Sequence, residues 1–448
     1  MTNTVFTLPR PKGNFILGNL PDFGKDPLGF LTKCTYQYSD IVPLRMGFTP
    51  VFLLTNPEHI EQVLRDQNLF IRSRAFRSAK MVVGEALLTT EGDTWFRQRR
   101  LAQPLFHNKQ IASYAEIMVA SIVETIDTWQ DGKTHDVYVD MGHITLDIFV
   151  KTMLSLDLTQ EAAKTLVLTV HEGANWFEIK RKQSFLIPNW FPTPENIRIR
   201  NVVKQTDKII YKIIAQRRIT GTSKDTKDLL SMLMEVRDAE DGSQMTDKQL
   251  RDQIAGFMIA GHETTTSTLS WAWMLLSQHP EVQTKLLAEL KEVLDGRLPT
   301  LADLPRLRYA EMIVKETLRL YPAAPILSRE STKDCKIGEY QITKGSYFIF
   351  AQWVMHRNPR YFENPDIFKP ERWTNDLEKQ LPRGSYFPFG DGGHMCIGKA
   401  FAMMEMVLTL TIIAPKFQLE IEPNHPIVPQ ATFSLKPKYG IKMIVKKR

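Results

Sequence analysis

The cysteine at position 396 lies in a sequence context that suggests a bound group. The stretch FPFGDGGHMCIGKAFA, residues 387–402, places Cys396 after a glycine-rich run and just before a segment that is predicted to form a helix. Gly390, Gly392 and Gly393 allow the backbone to approach a flat ligand closely, because glycine has no side chain. A helix N-terminus favours the thiolate form of a nearby cysteine. The surroundings therefore predict a thiolate that faces a ligand.

Residue types alone leave two roles open for Cys396. The other cysteines are Cys34 and Cys335, a sparse and odd set that forms no disulfide framework and is typical of a reducing compartment. Without a partner cysteine nearby, Cys396 is a poor ligand for zinc or for an iron–sulfur cluster. It is either a buried structural cysteine or the single axial sulfur that a haem iron uses for oxygen activation.

A second candidate is the string AGHETT, residues 260–265, inside a long apolar segment. Glycine within a helix costs roughly 1 kcal/mol relative to alanine, so Gly261 indicates a place where the helix opens or a ligand approaches. Glu263 and Thr264 are residue types that supply and position protons. The same two residues would also suit a solvated helix face, and the spacing alone does not decide between these interpretations.

Residues one helical turn apart form a third group. Glu316 and Arg319 in KETLRLYP lie on one face of a predicted helix, and so do Trp95 and Arg99 in WFRQRR. An isolated ion pair of this kind usually contributes little on a protein surface. The spacing of these pairs therefore does not by itself assign them a role, which depends on the helices that contain them.

The helix that carries AGHETT is the longest periodic element of the sequence. Thr246 and Gln249 predict a capping box at its start, and Pro280 ends it after His279. At roughly 30 residues this helix would be about 45–50 Å long and would cross the whole fold. A shorter helix is predicted to end before Pro322.

The remaining pattern predicts a mainly α protein with a minor β portion. Strands are predicted within residues 40–55, 337–350 and 439–448, which are rich in β-branched and aromatic residues. No internal repeat occurs, and no linker is long enough to separate two cores. We therefore expect a single domain over residues 1–448.

Composition and charge exclude several classes of function. Of the 448 residues, 43% are hydrophobic, as in ordinary globular proteins. Lysine and arginine exceed aspartate and glutamate by 57 to 50, but no basic tract or zinc-finger spacing accompanies the excess, so we expect no nucleic-acid partner. The N-terminal sequence lacks the pattern of a secretory signal, and no apolar run is long enough to span a bilayer. This predicts a cytoplasmic protein without a transmembrane anchor.

The motif around Cys396 resembles that of a known family. Phe389, Gly392, His394, Cys396 and Gly398 match F-x-x-G-x-[RH]-x-C-x-G, the cysteine signature of the cytochrome P450 superfamily. The chain is similar to the soluble bacterial-type members of that superfamily, which are haem-thiolate monooxygenases. The resemblance implies the cytochrome P450 fold, with the long central helix over a haem b and with Cys396 as the ligand of its iron.

The other motifs follow in the order that the family has them. The resemblance implies that Thr264 contacts dioxygen and that Glu263 helps to supply protons. It also implies a structural triad that holds the cysteine loop, formed by Glu316, Arg319 and Arg372 of FKPERW. Contacts to the haem, including its propionates, are implied for Trp95, Arg99, Ala260, Arg329, Phe389, His394, Cys396 and Gly398.

Three residues depart from the commonest form of these motifs. His394 stands where arginine is usual, Glu263 stands where many members have aspartate, and Trp373 stands where phenylalanine is frequent. None of the three removes a chemical group that the implied mechanism needs.

The activity that the resemblance implies is insertion of one oxygen atom from O2 into a C–H bond of a lipophilic substrate. Electrons would come from a separate ferredoxin or flavodoxin with its reductase. Such carriers are typically acidic, and Arg97, Arg100 and Lys399 are the candidate docking residues. The alternatives are a peroxide-driven or isomerising haem-thiolate enzyme and a haem protein that senses gas or carries electrons. Glu263 and Thr264 favour the monooxygenase, because the alternatives have less need of this pair.

The substrate is defined only as a lipophilic molecule such as a fatty acid, a terpenoid or a steroid. Apolar and aromatic residues that are predicted to line its pocket are Phe76, Met81, Val82, Trp176, Phe177, Leu186, Ala260 and Leu327. Any one of them could instead belong to the ordinary core. Arg72, Arg74 and Arg77 are candidates to pair with a substrate carboxylate.

Overall fold

Helices make up most of the fold, and small sheets complete it. The computed structural model describes residues 8–155, 160–183, 190–221, 228–238 and 242–448. Its α-helices are, in chain order, α1 Leu20–Lys25, α2 Pro27–Gln37, α3 Pro57–Arg65, α4 Arg74–Arg77, α5 Lys80–Val83, α6 Gly92–Ala102, α7 Asn108–Ala112, α8 Ala115–Ile126, α9 Val137–Leu154, α10 Gln160–Gln183, α11 Pro194–Thr220, α12 Leu229–Glu235, α13 Asp247–Gln278, α14 Pro280–Leu294, α15 Arg308–Leu320, α16 Gln352–Met355, α17 Leu377–Gln380 and α18 Lys399–Ile413. Short 3-10 helices span Gln103–Phe106, Leu301–Arg306 and Pro370–Trp373. The mainly α class with a minor β portion is confirmed.

Most of the strands lie near the N-terminus or in the last third of the chain, and one lies between these regions. They are β1 Ile41–Met46, β2 Thr49–Leu54, β3 Phe70–Arg72, β4 Thr134–Asp136, β5 Leu327–Ser331, β6 Cys335–Ile337, β7 Tyr340–Ile342, β8 Tyr347–Phe350, β9 Phe417–Ile421, β10 Pro429–Ala431, β11 Leu435–Pro437 and β12 Lys442–Lys447. The strands predicted within residues 40–55, 337–350 and 439–448 are therefore present.

Helix α13 lies in the middle of the fold. Its start is the predicted capping box: the Thr246 hydroxyl accepts a hydrogen bond from the Gln249 backbone, and the Gln249 side chain accepts one from Thr246 N at 2.9 Å. Pro280 begins α14 directly afterwards. Residues on nearly every side of α13 are buried, because α9, α11, α15 and α18 pack against it. The middle of α13 can therefore serve a buried site.

A sheet of mixed direction brings two arginines together. In the described part of the chain its strand order is β1-β2-β8-β5-β3, with β2 and β8 parallel and the other pairs antiparallel. Strands β3 and β5 pair in a register that sets Arg72 opposite Arg329. Side chains of directly opposed residues lie on the same face of a sheet. The register therefore concentrates positive charge at one place.

A short hairpin near the C-terminus packs on α13. Strands β10 and β11 pair with Ala431 opposite Leu435, and Thr432 N donates to Ser434 O at 2.8 Å to close the turn. The indole N–H of Trp271 in α13 donates to Leu435 O at 2.7 Å. The tip of this hairpin, residues 432–434, is thereby held close to the middle of the long helix.

Apolar side chains form the core on both sides of α13. One large cluster joins α8, α9, α13, α14, α15 and α18, and a second joins α5, α9, α10, α11 and α13. Among the helices that the structure describes, none has both the length and the apolar character that crossing a membrane requires.

Candidate active site

A cavity of about 380 Å³ lies between α13, β5, the hairpin tip and the loop of residues 387–398, which we call the cysteine loop. Most of the predicted site residues line this cavity, although they are far apart in the sequence: Phe76, Trp95, Arg99, Ala260, Thr264, Leu327, Arg329, Phe389, His394, Cys396 and Gly398. The structure therefore brings the predicted cofactor contacts and part of the predicted substrate contacts into one space.

The cysteine loop depends on glycines in the left-handed region of backbone conformation. Gly390 has φ +72° and Gly392 has φ +67°, and a Cβ atom on Gly392 would lie 2.2 Å from the carbonyl oxygen of Leu64. The Cys396 N–H donates to Phe389 O at 2.9 Å, which closes the loop. The loop can therefore pack against the end of α3 only with glycine at position 392.

Cys396 faces the cavity, but its position before α18 does not by itself keep it ionised. Burial raises the pKa of the Cys396 thiol, whereas the Gly398 N–H and the nearby cations Arg99 and Lys399 lower it. Burial is the largest of these effects. A bound cation at the sulfur would reverse the balance, because a coordinating thiol loses its proton. The predicted thiolate is therefore expected in the metal-bound form of the site.

Among the buried donors at the cavity wall that lack a hydrogen-bond partner in the described residues are the indole nitrogen Nε1 of Trp95 and the guanidinium nitrogen Nε of Arg329. Burial, together with the charge of Arg72, lowers the pKa of Arg329 to about 9. Buried polar groups are normally paired, so this wall of the cavity is suited to an anionic ligand.

A histidine and a glutamate meet beside these donors. The His394 ring packs edge-on against the Trp95 ring with centroids 4.6 Å apart, and His394 Nε2 lies 3.3 Å from Glu91 Oε2. Glu91 Oε1 accepts a hydrogen bond from Arg72 N at 3.0 Å and lies 3.3 Å from Arg72 Nη1. Burial lowers the pKa of His394 to about 4. The sequence analysis missed Glu91, since no spacing rule connects it with His394.

Adjacent residues of α13 point to different neighbours. Thr264 lines the cavity, and its hydroxyl donates to Ala260 O at 2.7 Å, one turn earlier. Glu263 does not line this cavity, and its Oε1 accepts a hydrogen bond from the Ser434 hydroxyl at 2.9 Å. Burial raises the pKa of Glu263 to about 7. The pair thus combines a hydroxyl at the cavity with a carboxyl that can hold a proton near neutral pH.

The predicted triad forms a network around the buried carboxylate of Glu316. Arg319 Nε donates to Glu316 Oε2 at 2.9 Å and Arg319 Nη2 donates to Oε1 at 2.8 Å. Arg372 Nε donates to Oε1 at 2.8 Å, and the Trp373 indole donates to Oε2 at 3.0 Å. Trp373 therefore adds a hydrogen bond that phenylalanine could not make. A buried ion pair is stable only when its hydrogen bonds are satisfied in this way.

The triad is connected to the cysteine loop through His356. Arg319 Nη1 donates to His356 O at 2.9 Å, and His356 Nε2 accepts a hydrogen bond from Phe387 N at 3.1 Å. Gln352 donates to Phe387 O at 2.7 Å. The start of the loop is therefore tied to a rigid part of the core.

Comparison with known proteins identifies the family. The family model "Cytochrome P450" matches residues 8–445. This chain belongs to the cytochrome P450 family. It is 33% identical to cyclooctat-9-en-7-ol 5-monooxygenase of Streptomyces melanosporofaciens, over 91% of this chain and 88% of that protein. It is 31% identical to pentalenene oxygenase of Streptomyces avermitilis, over 93% of this chain and 92% of that protein.

As a cytochrome P450, the protein is an oxidoreductase that incorporates oxygen from O2, and its cofactor is haem b. The residues present fit this cofactor. Cys396 offers a sulfur atom at the cavity, and the unpaired donors of Trp95 and Arg329 suit the carboxylates of haem propionates. Arg99 also lines the cavity, while its Nη1 donates to Met395 O at 3.0 Å and so binds the cysteine loop.

Three residues predicted to line the substrate pocket of this P450 do not line the cavity. Val82 is buried in the apolar cluster between α5, α9 and α13, and Met81 packs against the same cluster. The Trp176 indole donates to Asn196 Oδ1 at 2.8 Å and joins α10 to α11. In this structure α5 and α10 turn these three residues toward other helices.

The arginines considered for a substrate carboxylate are engaged by carboxylates of the P450 itself. Arg74 and Arg77 each lie 3.2 Å from an oxygen of Glu330. Arg72 lines the cavity but is paired with Glu91 at 3.3 Å. The predicted role is therefore not supported for Arg74 or Arg77, and Arg72 has a protein partner.

An aromatic residue of the hairpin tip was missed by the sequence analysis. Phe433 lines the cavity, and its ring contacts that of Phe76 with centroids 6.1 Å apart. Phe149 of α9 also lines the cavity. An aromatic residue in the turn of a short hairpin was a signal for Phe433, but the sequence did not show that the turn faces the cavity. Leu186 and the side chain of Phe177 lie outside the described residues.

Proposed function

We propose that this cytochrome P450 hydroxylates an uncharged terpenoid, with electrons from a separate ferredoxin or flavodoxin and its reductase. The observation that carries the proposal is the cavity, which joins Cys396 and Thr264 to a lining that includes Phe76, Phe149 and Phe433. A mostly apolar cavity with few polar groups favours a lipophilic ligand. The names of two similar proteins refer to terpenoid compounds, cyclooctat-9-en-7-ol and pentalenene.

The charges at the cavity favour a terpenoid over a fatty acid. The arginines that line the described cavity wall are Arg72, Arg99 and Arg329. Arg72 pairs with Glu91, Arg99 donates to the cysteine loop, and Arg329 is assigned above to a haem propionate. A buried carboxylate without a cationic partner is costly. Among the described lining residues no cation is left over for a substrate carboxylate, so an uncharged substrate fits better.

Each group in the site has a separate task in this proposal. When bound, the haem supplies the activation of O2 and the transfer of one oxygen atom to the substrate C–H bond. Cys396 would bind its iron, and Trp95, Arg329 and His394 would hold its propionates. Thr264 presents its hydroxyl to the cavity, and Glu263 holds a proton near neutral pH. Proton supply to the cavity is therefore assigned to these two residues of α13.

The proposal keeps Arg97, Arg100 and Lys399 as the docking residues for an acidic electron carrier. Arg97 Nε and Arg100 Nη2 lie 2.7 and 2.5 Å from Asp238, and Lys399 lies 3.4 Å from Glu378. These three partly exposed cations outnumber the carboxylates that they contact, Asp238 and Glu378, so they can steer an acidic partner. A cytoplasmic location is part of the same proposal, because the sparse cysteines suit a reducing compartment.

A spectral titration tests the substrate class. Purified haem-loaded protein is titrated with terpenoid alcohols and with fatty acids of matched carbon number, and the shift of the Soret band gives each Kd. We expect the best terpenoid to bind at least about tenfold more tightly than the best fatty acid, which corresponds to about 1.4 kcal/mol. Tighter binding of the fatty acids would refute the preference for an uncharged substrate.

Product analysis tests the reaction. The same protein is supplied with NADPH, a ferredoxin, its reductase and isotopically labelled O2. We expect a product that carries one labelled oxygen atom. We expect no product when a low concentration of hydrogen peroxide replaces the electron carriers. A product formed only with peroxide would support the peroxide-driven alternative instead.

A further inference from the structure

One face of α13 is bound to the C-terminal hairpin along about two helical turns. Glu263, Ser267 and Trp271 are spaced four residues apart, so they lie on the same face of the helix. The Ser434 hydroxyl donates to Glu263 Oε1 at 2.9 Å and lies 3.3 Å from the Ser267 hydroxyl. Trp271 donates to Leu435 O at 2.7 Å. This face of α13 therefore holds hairpin residues 434 and 435 in place.

The residue before Ser434 belongs to the cavity. Phe433 and Thr432 both line it, and the Phe433 ring contacts Phe76. The turn is tight, because the N–H and the hydroxyl of Thr432 both donate to Ser434 O, at 2.8 and 2.9 Å. A ligand that displaces the backbone at Phe433 therefore displaces Ser434 as well.

The Glu263 carboxyl has few other neighbours that could hold it. Its Oε2 is buried and has no hydrogen-bond partner among the described residues. Lys436 of β11 and Tyr138 of α9 are the charged or titratable groups that interact with it electrostatically, and Lys436 Nζ donates to Asn175 Oδ1 at 3.1 Å. The Ser434 hydroxyl is thus the hydrogen bond that fixes the carboxyl in the described structure.

We propose that Ser434 is a positioning residue for Glu263 and that a substrate in contact with Phe433 controls this hydrogen bond. In the absence of a substrate, Ser434 holds the carboxyl against the hairpin. A substrate that displaces Phe433 shifts Ser434 and releases the carboxyl toward Thr264, its neighbour at the cavity. The protein then supplies protons to the cavity only when a substrate occupies it. This inference rests on the proposed role of Glu263 as a proton source.

Infrared spectroscopy of the haem-loaded protein tests the positioning role. At about pH 6, below the pKa of Glu263 of about 7, its protonated carboxyl gives a C=O stretching band that Glu263→Gln removes and thereby assigns. We expect Ser434→Ala to move this band to higher wavenumber, because the carbonyl loses a donor, and Ser434→Cys to move it less, because a thiol is a weaker donor. An unchanged band in Ser434→Ala would overturn the proposal.

The control for this experiment is Ser270→Ala. Ser270 is buried on the same helix and donates to Thr266 O at 2.7 Å, so the substitution removes a comparable hydroxyl without touching Glu263. It should leave the band in place. The carbon monoxide difference spectrum of each reduced variant reports whether the haem site has folded.

A second measurement tests the control by substrate. The probe is the terpenoid alcohol with the tightest binding in the spectral titration, since an alcohol adds no carboxyl band. We expect the probe to shift the Glu263 band toward its position in Ser434→Ala. Phe433→Ala should abolish this shift, whereas Phe149→Ala, which shortens a cavity residue of α9, should preserve it. A band that stays in place when the probe saturates the wild-type protein would refute the coupling.

Different results would refute the proposed role of Glu263 and the inference about Ser434. If Glu263→Gln turns over at the wild-type rate, the proposed role of Glu263 itself is wrong. If Glu263→Gln is slow but Ser434→Ala leaves the infrared band unchanged, only the inference about Ser434 is wrong.

Discussion

At the residue scale, the site is marked by buried polar atoms that the described residues leave unpaired. Trp95 Nε1 and Arg329 Nε line the cavity, and Glu263 Oε2 lies beside it on α13. Leaving such an atom unpaired costs about 1–3 kcal/mol. Trp273 Nε1 is also unpaired but lies away from the cavity. The lack of a partner therefore does not by itself indicate a ligand.

The first prediction concerns the Trp95 indole. Trp95→Phe removes the unpaired N–H and keeps an aromatic ring. If this N–H binds a haem propionate, we expect haem to dissociate roughly tenfold faster, since a hydrogen bond to a charged group contributes about 1.5 kcal/mol or more. The rate of haem transfer to apomyoglobin measures the change. Trp273→Phe removes an equally unpaired N–H away from the cavity and should not alter that rate.

The second prediction concerns the pH dependence of stability. Burial raises the pKa of Glu263 from 4.5 to about 7, so the folded state retains a proton that the unfolded state releases between these values. The contribution of this proton to the free energy of unfolding is complete below the unfolded-state pKa of 4.5, and it is lost as the pH rises through the folded-state pKa of about 7. Relative to Glu263→Gln, the wild-type protein should lose about 3 kcal/mol of unfolding free energy between about pH 5 and about pH 8. Urea denaturation of both proteins measures the difference, and parallel pH profiles would contradict the prediction.

At the scale of elements, the cysteine loop is held from several directions. Gly392 packs against the Leu64 carbonyl at the end of α3, and Phe387 N donates to His356, which the buried triad holds. Arg99 of α6 donates to Met395 O. The position of the sulfur therefore depends on three separate elements and not on the start of α18 alone.

The third prediction separates conformational strain from steric clash in this loop. Gly390 and Gly392 both have positive φ, but the atom nearest to a Cβ on Gly390 is 4.0 Å away, against 2.2 Å for Gly392. Gly390→Ala should therefore cost only about 1–2 kcal/mol of strain. Gly392→Ala must displace α3 or the loop, and we expect it to lose most of its haem. The ratio of Soret absorbance to protein absorbance in purified samples compares the two variants, and equal haem content would contradict the prediction.

At the scale of the whole molecule, α13 connects the separate parts of the site. It presents Thr264 to the cavity and Glu263 to the C-terminal hairpin, and it packs against the helices of both large apolar clusters. The net charge of +7 does not by itself identify a docking face. A partner is recognised by local charge, which makes the cluster of Arg97, Arg100 and Lys399 testable.

The fourth prediction concerns this cluster. Reversing all three charges to glutamate should lower the rate of reduction by an acidic ferredoxin roughly tenfold at low salt, and should weaken the dependence of the rate on salt. Stopped-flow reduction under carbon monoxide measures both quantities. Reversal of Lys204, Lys208 and Lys212, which are exposed on α11, changes the net charge equally and should have a smaller effect. Equal effects of the two sets would show that the docking surface lies elsewhere.

Features that depend on interactions between neighbouring residues were predictable from the amino-acid sequence. The capping box of Thr246 and Gln249, the end of α13 before Pro280 and the glycines before Cys396 all follow from interactions within a few residues of the chain. The family motifs could be recognised for the same reason, since each is a short string. The fold class and the haem cofactor were therefore predictable without a structure.

Contacts between residues that are distant in the sequence became known only from the folded structure. It paired Glu91 with His394, turned Glu263 toward Ser434, and placed Phe433 in the cavity. Val82, which was predicted to line the substrate pocket, lies in the apolar core. The physical reason is that residue type predicts whether a side chain is buried or forms an ion pair, but it does not predict the partner. The partner depends on how elements that are hundreds of residues apart in the sequence pack together.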